Sequence, residues 1–189
     1  MIDTIAIIER FYEKGTPLYD LLLMHSRQVS TLAKQFAERL VANSTPVDID
    51  FVVEAAMLHD IGIINTDAPG IYCNGTEPYI RHGVLGREML DELGLFRHAL
   101  VCERHTGTGL TVEEIEERQL PLPHRNLLPV SLEEKLVCYA DKFYSKSHPE
   151  RVRSMEVARG KLVKFGAGTI ARFDEMAAQF GAPDYSVLI

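Results

Sequence analysis

Four side chains stand out because their polarity does not suit where they sit. His59 and Asp60 close the apolar run Ala55-Ala56-Met57-Leu58, His25 follows Leu21-Leu22-Leu23-Met24, and Asp141 follows Leu136-Val137-Cys138-Tyr139-Ala140. A lone histidine on an apolar face is usually a satisfied core residue. Three helices that each bring an ionisable group to one interior form a pattern with a use. Neutral imidazoles and carboxylates together suit a divalent ion such as Fe, Mn, Zn or Co, so these residues are read as metal ligands first.

The order His25, His59-Asp60, Asp141 resembles the H…HD…D signature of the HD-domain superfamily, metal-dependent phosphohydrolases built from a bundle of helices, and His59-Asp60-Ile61-Gly62 is its HDIG form. Two further segments, Tyr79 to Gly86 with His82 and Cys102 to Gly107 with His105, resemble the extra histidine motifs of subgroups that hold two metal ions. The HD-type diadenosine tetraphosphate hydrolases and the HD-GYP phosphodiesterases are among those subgroups. The resemblance implies one ion on His25, His59, Asp60 and Asp141 and a second on Asp60, His82 and His105, with Asp60 as the bridge. It also implies two ions drawn from Fe, Mn, Zn, Co or Ni, and a metal-bridging hydroxide that attacks phosphorus. The expected reaction is hydrolysis of a phosphoester or phosphoanhydride in a small, nucleotide-like substrate. Two departures qualify this. Many two-metal relatives follow HDIG with a lysine, where this chain has Ile63, so either another cation meets the phosphate or the substrate differs. The HD-GYP motif is absent, which argues against cyclic dinucleotide hydrolysis.

Phosphoryl transfer also needs cations and hydrogen-bond donors around the phosphoryl oxygens. Arg81, Arg104 and Lys142 each neighbour an expected ligand and join Asp60 as candidate catalytic residues, while Thr106 and Thr108 follow His105 in a Gly-rich turn. Successive helical residues point about 100° apart, so a solvated or ion-paired surface role accounts for these cations equally well. His98, His124 and His148 match no motif and are assigned to the surface. Glu103 either orients a ligand imidazole or, the commoner case, is exposed. Two other functions compete: an HD-fold di-iron oxygenase using the same ligand types, and a non-catalytic nucleotide-binding module. The second would be expected to have lost a ligand, and none is missing.

These residues need helices to position them. Apolar spacing predicts helices over about Asp3 to Lys14, Pro17 to Asn43, and Asp48 to Asp60 with Gly62 as the stop. Further helices are expected over Ile80 to Leu93 and Leu95 to Arg104. Capping boxes at Thr111/Glu114 and Ser131/Glu134 open a short acidic helix and the helix that delivers Asp141. Two more stretches, Pro149 to Phe165 and Thr169 to Phe180, end the chain. The segment Ile63 to Tyr79, dense in Pro, Gly, Asn and Asp, reads as a loop and a candidate lid or substrate wall. The fold class is all-α, a single HD-type helical bundle over 1–189, with the metal-site core at about 18–147 and C-terminal helices at about 149–181.

Composition sets outer limits. A chain of 189 residues, 46% hydrophobic and 25% charged, can bury a core without disulfides. Cys73, Cys102 and Cys138 have no close pairing and read as small buried hydrophobes. A net charge of −7 argues against long nucleic acid as a partner, although bound cations would reverse the sign locally for a small phosphorylated substrate. No apolar run reaches bilayer length and no secretory signal is evident, so no membrane partner and a cytoplasmic location are expected.

Overall fold

The structure, a computed structural model, describes residues 1–186. It is built from nine α-helices among the described residues: α1 (Thr4–Ile8), α2 (Pro17–Ala42), α3 (Ile49–Leu58), α4 (His82–Asp91), α5 (Phe96–Arg104), α6 (Val112–Glu117), α7 (Leu132–Asp141), α8 (Met155–Leu162) and α9 (Ala167–Phe180). Side-chain oxygens of Thr16, Asp48, Thr111, Ser131 and Ser154 cap the backbone amides that open α2, α3, α6, α7 and α8. At α6 the capping box is complete. At α7 it is half made, because the Glu134 carboxylate accepts from the Val130 amide and from Arg104 instead. No helix is long and apolar enough to cross a membrane among the described residues.

Helix α2 is the spine, packing along α3 and α7, while α4 packs on α5. Two apolar layers meet along it. Val29, Leu32 and Phe36 join Val52, Ala55, Leu136, Tyr139, Phe143, Phe173 and Phe180 in one layer. Leu21 and Leu22 join Ile8, Tyr12, Leu58, Ile61, Leu90 and Cys102 in the other. Each fully buried Leu or Phe contributes roughly 1.5–3 kcal/mol. His25 lies between the two layers on α2, and His59-Asp60 lies at the same seam after α3, so a rigid apolar frame surrounds the polar cluster.

Several sequence expectations change. The first helix is one turn long: the Tyr12 hydroxyl donates to Ile61 O at 2.7 Å and accepts from Ile64 N at 3.1 Å, pulling residues 9–15 into turns across the end of α3. Helix α3 stops at Leu58, and Gly62 lies inside a 3-10 turn, Ile61–Asn65. A Cβ on Gly62 would fall 2.2 Å from His82 O and 2.3 Å from Gly86 N, so this glycine is there for close packing of the turn against α4 rather than as a stop. The expected loop 63–79 carries a small sheet of β1 (Thr66–Ala68), β2 (Cys73–Asn74) and β3 (Glu77–Pro78), in the order β2-β1-β3. Strand β2 pairs antiparallel to β1 (Ala68 opposite Cys73) and β3 pairs parallel (Thr66 opposite Glu77). Two- and three-residue strands carry no hydrophobic alternation, which is why periodicity misses them. Residues 149–154 are not helical, because Arg153 ties this segment to the end of α7 through N–H bonds to Phe143 O and Lys142 O. The three cysteines are buried and free.

Candidate metal centre

Each histidine comes from a position its helix dictates. His25 sits mid-helix on the buried stripe of α2, His59 caps the C-terminus of α3, His82 opens α4, and His105 caps the C-terminus of α5. Nδ1 of His59, His82 and His105 bonds the carbonyl three residues earlier, Ala56 O at 2.6 Å, Tyr79 O at 2.7 Å and Cys102 O at 2.7 Å. A carbonyl only accepts, so each Nδ1 carries the proton and each Nε2 presents a lone pair inward. Three rings are thus oriented for coordination by their own backbones.

The six side chains converge around Asp60, which is fully buried. Asp60 Oδ2 lies 3.1 Å from both His25 Nε2 and His59 Nε2, and Asp141 Oδ1 lies 3.0 and 3.6 Å from the same two nitrogens. Asp60 Oδ1 faces the other way, 3.5 Å from His82 Nε2 and 3.4 Å from His105 Nε2, and those two nitrogens are 3.0 Å apart. The donor atoms therefore fall into two groups sharing one carboxylate: His25, His59, Asp60 and Asp141, and Asp60, His82 and His105. His59 Nε2 and Asp60 Oδ1 are buried without a hydrogen-bond partner, and Asp60 Oδ2 is met by the Lys146 ammonium. Orphaned polar atoms at such spacing are costly unless a cation sits among them. Ligands about 2.1 Å from one ion stand roughly 3 Å apart when adjacent, so this donor set fits divalent metal.

Local electrostatics agree. Burial and the neighbouring His105 hold His82 down to about 3, a neutral ligand at any physiological pH. Burial also lowers His105. Burial disfavours charge on His59 too, but Asp60 and Asp141 outweigh it and raise this group to about 9. Burial would raise Asp60 and Asp141, yet His59 and Lys146 for the first, and Lys142 and His25 for the second, keep both well below the carboxylate range. The pocket is thus made for positive charge, and the Lys146 ammonium already lies beside Asp60.

The expected cations separate. Arg81 pairs with Glu77 at 3.0 Å and Arg104 with Glu134 at 2.9 Å, and neither lines the cavity above the cluster. Both turn away because a carboxylate one turn back, or on the neighbouring helix, captures the guanidinium. Lys142 does reach the site: its Nζ is 2.7 Å from Asp141 Oδ2 and donates to His105 O at 3.1 Å. The cation that sequence reading missed is Lys146, whose Nζ lies 2.5 Å from Asp60 Oδ2. It follows Asp141 by five residues, a spacing that faces away on a continuing helix. It reaches the cluster because the chain leaves helical geometry after Lys142. The signal that could have found it is the missing lysine after HDIG. Tyr79, stacked on His82 with centroids 4.7 Å apart and 5.9 Å from Lys146 Nζ, also escaped notice.

Two surface assignments are overturned. His98 is buried and faces Glu54 Oε2 at 3.2 Å, and Glu103 is buried between Arg87 and Arg125 rather than exposed or touching an imidazole. His124 and His148 are exposed. Thr108 is buried and bonds Thr169 O, whereas Thr106 lines the cavity.

That cavity, about 760 Å³, is floored by His25, His82, His105 and Asp141 and walled on one side by Ala68 to Ile71 of the segment expected as a substrate wall. Its charged lining is Arg118, Lys142, Lys146, Arg153, Lys161 and Lys164 against the single carboxylate of Asp141. In a chain with 27 acidic and 20 basic residues, that is a local inversion of sign.

Comparison with known proteins agrees with this geometry. An uncharacterized protein of Methanocaldococcus jannaschii is 40% identical over 118 residues, covering 62% of each chain. Two proteins named tRNA (cytidine(56)-2'-O)-methyltransferase, from Picrophilus torridus and Thermoplasma volcanium, are 33% and 32% identical over 127 and 143 residues, or 67% and 76% of this chain. The chain spans less than two thirds of the first relative and about a third of the length of the other two. No solved structure matches. The HD domain family matches residues 22–145, the stretch that holds all six converging side chains, and the chain belongs to that family.

Proposed function

We propose that this protein is a metal-dependent phosphohydrolase acting on a small phosphorylated, nucleotide-like substrate. The observation that carries the reading is the division of the two Asp60 oxygens between two histidine sets beneath a cavity whose charged lining is cationic but for Asp141. A volume of about 760 Å³ lies in the range of small-molecule sites.

In this reading His25, His59, Asp60 and Asp141 hold one divalent ion, and Asp60, His82 and His105 hold a second. When bound, such ions supply Lewis acidity at phosphoryl oxygens and acidify an attacking water. The chain's own groups do the rest. The three backbone-bonded imidazoles hold their lone pairs inward without reorganisation, and Lys142 keeps the Asp141 carboxylate turned toward the cluster. Lys146 takes the place of the lysine that HDIG lacks here: once other cations satisfy Asp60, its ammonium is available to a phosphoryl oxygen at the cavity floor. The apolar layers shield the flanks of the cluster and leave it open toward the cavity. Methyl transfer belongs to the longer relatives, and the reading for this chain rests on its own cavity.

Purified protein reconstituted with Mn or Co under anaerobic conditions is expected to bind two equivalents of metal and to release phosphate from nucleotide substrates. Turnover that strictly requires iron and dioxygen would replace this reading with an oxygenase. Nucleotide binding without turnover by any of several metals would replace it with a non-catalytic module.

A further inference from the structure

The cavity does not end at the metal cluster. It runs on to a corner formed by Arg118 at the end of α6, Lys161 on α8, and Lys164 and Phe165 in the 3-10 turn Val163–Phe165. Lys164 Nζ lies 4.8 Å and the Arg118 guanidinium carbon 5.5 Å from the centre of the Phe165 ring, so one aromatic ring gathers both charges. Among the described residues, no carboxylate lies within ion-pair distance of Arg118, Lys161 or Lys164. Arg87, Arg97, Arg104, Arg125, Arg159 and Arg172 each have such a partner. Three neighbouring cations left unpaired in an acidic protein repel one another and give that corner an open positive field.

Between the two ends the wall is apolar, with Ile71, Ile80, Leu110 and Leu162 facing the same space. A single phosphate on the metals would leave both the apolar stretch and the far cations unused. We infer that the substrate carries a second anionic group, a phosphate or diphosphate, remote from the scissile phosphoryl group. Arg118, Lys161 and Lys164 bind it around Phe165, and a flat apolar body such as a nucleoside spans the gap. This rests on the phosphohydrolase reading for the scissile end only. Lys161, Lys164 and Phe165 lie beyond the family match at residues 22–145, so the C-terminal helices carry the preference for a two-anion substrate.

The test uses the full, metal-loaded chain with adenosine 5'-monophosphate and adenosine 3',5'-bisphosphate, read by phosphate release and by calorimetry. The wild type is expected to bind the bisphosphate more tightly. In the triple variant R118A/K161A/K164A, kcat/KM for the bisphosphate should fall about tenfold or more relative to the monophosphate, mainly through KM. All three side chains are exposed, and a matching thermal melt checks that the variant folds. Equal binding of the two nucleotides by the wild type, or a loss in the variant that is the same for both, overturns the inference. Tight bisphosphate binding that the variant loses, without turnover of either compound, would uphold the second anion site and defeat the hydrolase reading instead.

Discussion

A side chain at this centre is defined by which of its atoms is left free. His59, His82 and His105 each spend Nδ1 on a carbonyl three residues back, and Asp60 leaves Oδ1 without a hydrogen bond while Oδ2 meets the Lys146 ammonium. Because the Asp60 oxygens face different histidine pairs, Asp60→Ala should remove both ions. Metal analysis is expected to read close to zero for this variant and about half for His82→Ala, and wild-type content in Asp60→Ala would refute the shared bridge. Lys146 makes a different prediction. Lys146→Ala should retain metal yet lose on the order of 10²-fold in kcat, with partial recovery in Lys146→Arg, because a donor to the phosphoryl group is removed and no ligand is. Arg104→Ala should keep its activity and lose about 1–2 kcal/mol of stability in urea, since it leaves the mostly buried Glu134 carboxylate without its guanidinium.

At the scale of elements, the geometry depends on how closely the turn after α3 approaches α4. Gly62 permits that approach, and a methyl group there would overlap His82 O and Gly86 N. Gly62→Ala should therefore cost about 2–3 kcal/mol in chemical unfolding and also weaken metal binding, because the displaced backbone carries His82. Unchanged metal affinity in this variant would show that the turn and the site are uncoupled. The caps obey a local rule: a Ser or Thr three residues ahead of a Glu marks the start of α6 and α7 in the sequence. The second role of Glu134, as partner of Arg104 and Val130, depends on α5 lying alongside and has no local signature.

For the whole molecule, burying six ionisable groups in one seam is unfavourable until something positive joins them, so metal and stability should be linked. At a hundredfold excess over Kd, a bound ion adds about 2.7 kcal/mol, a Tm increase on the order of 5–10 °C for a chain of this size. Scanning calorimetry of chelated and Mn-loaded protein checks this, and a Tm indifferent to metal would mean that the donors do not form a site. The same scale explains the cavity's charge. Five of the six lining cations, Lys142, Lys146, Arg153, Lys161 and Lys164, come from one basic stretch between the end of α7 and the turn after α8, and the fold turns that stretch over the cluster and adds Arg118 from the end of α6.

The residue types with ligand chemistry, their order along the chain and the helical stripes that face them inward could all be read from the sequence. Helical period and capping are local properties that act over a few residues. Tertiary structure decided where the charges went. Arg81 and Arg104 were drawn off by Glu77 and Glu134, His98 and Glu103 were buried against partners far away in the chain, and Lys146 was brought to Asp60 by a break after α7. An ion pair depends on which opposite charge lies within a few ångströms, and only the packed chain sets that distance.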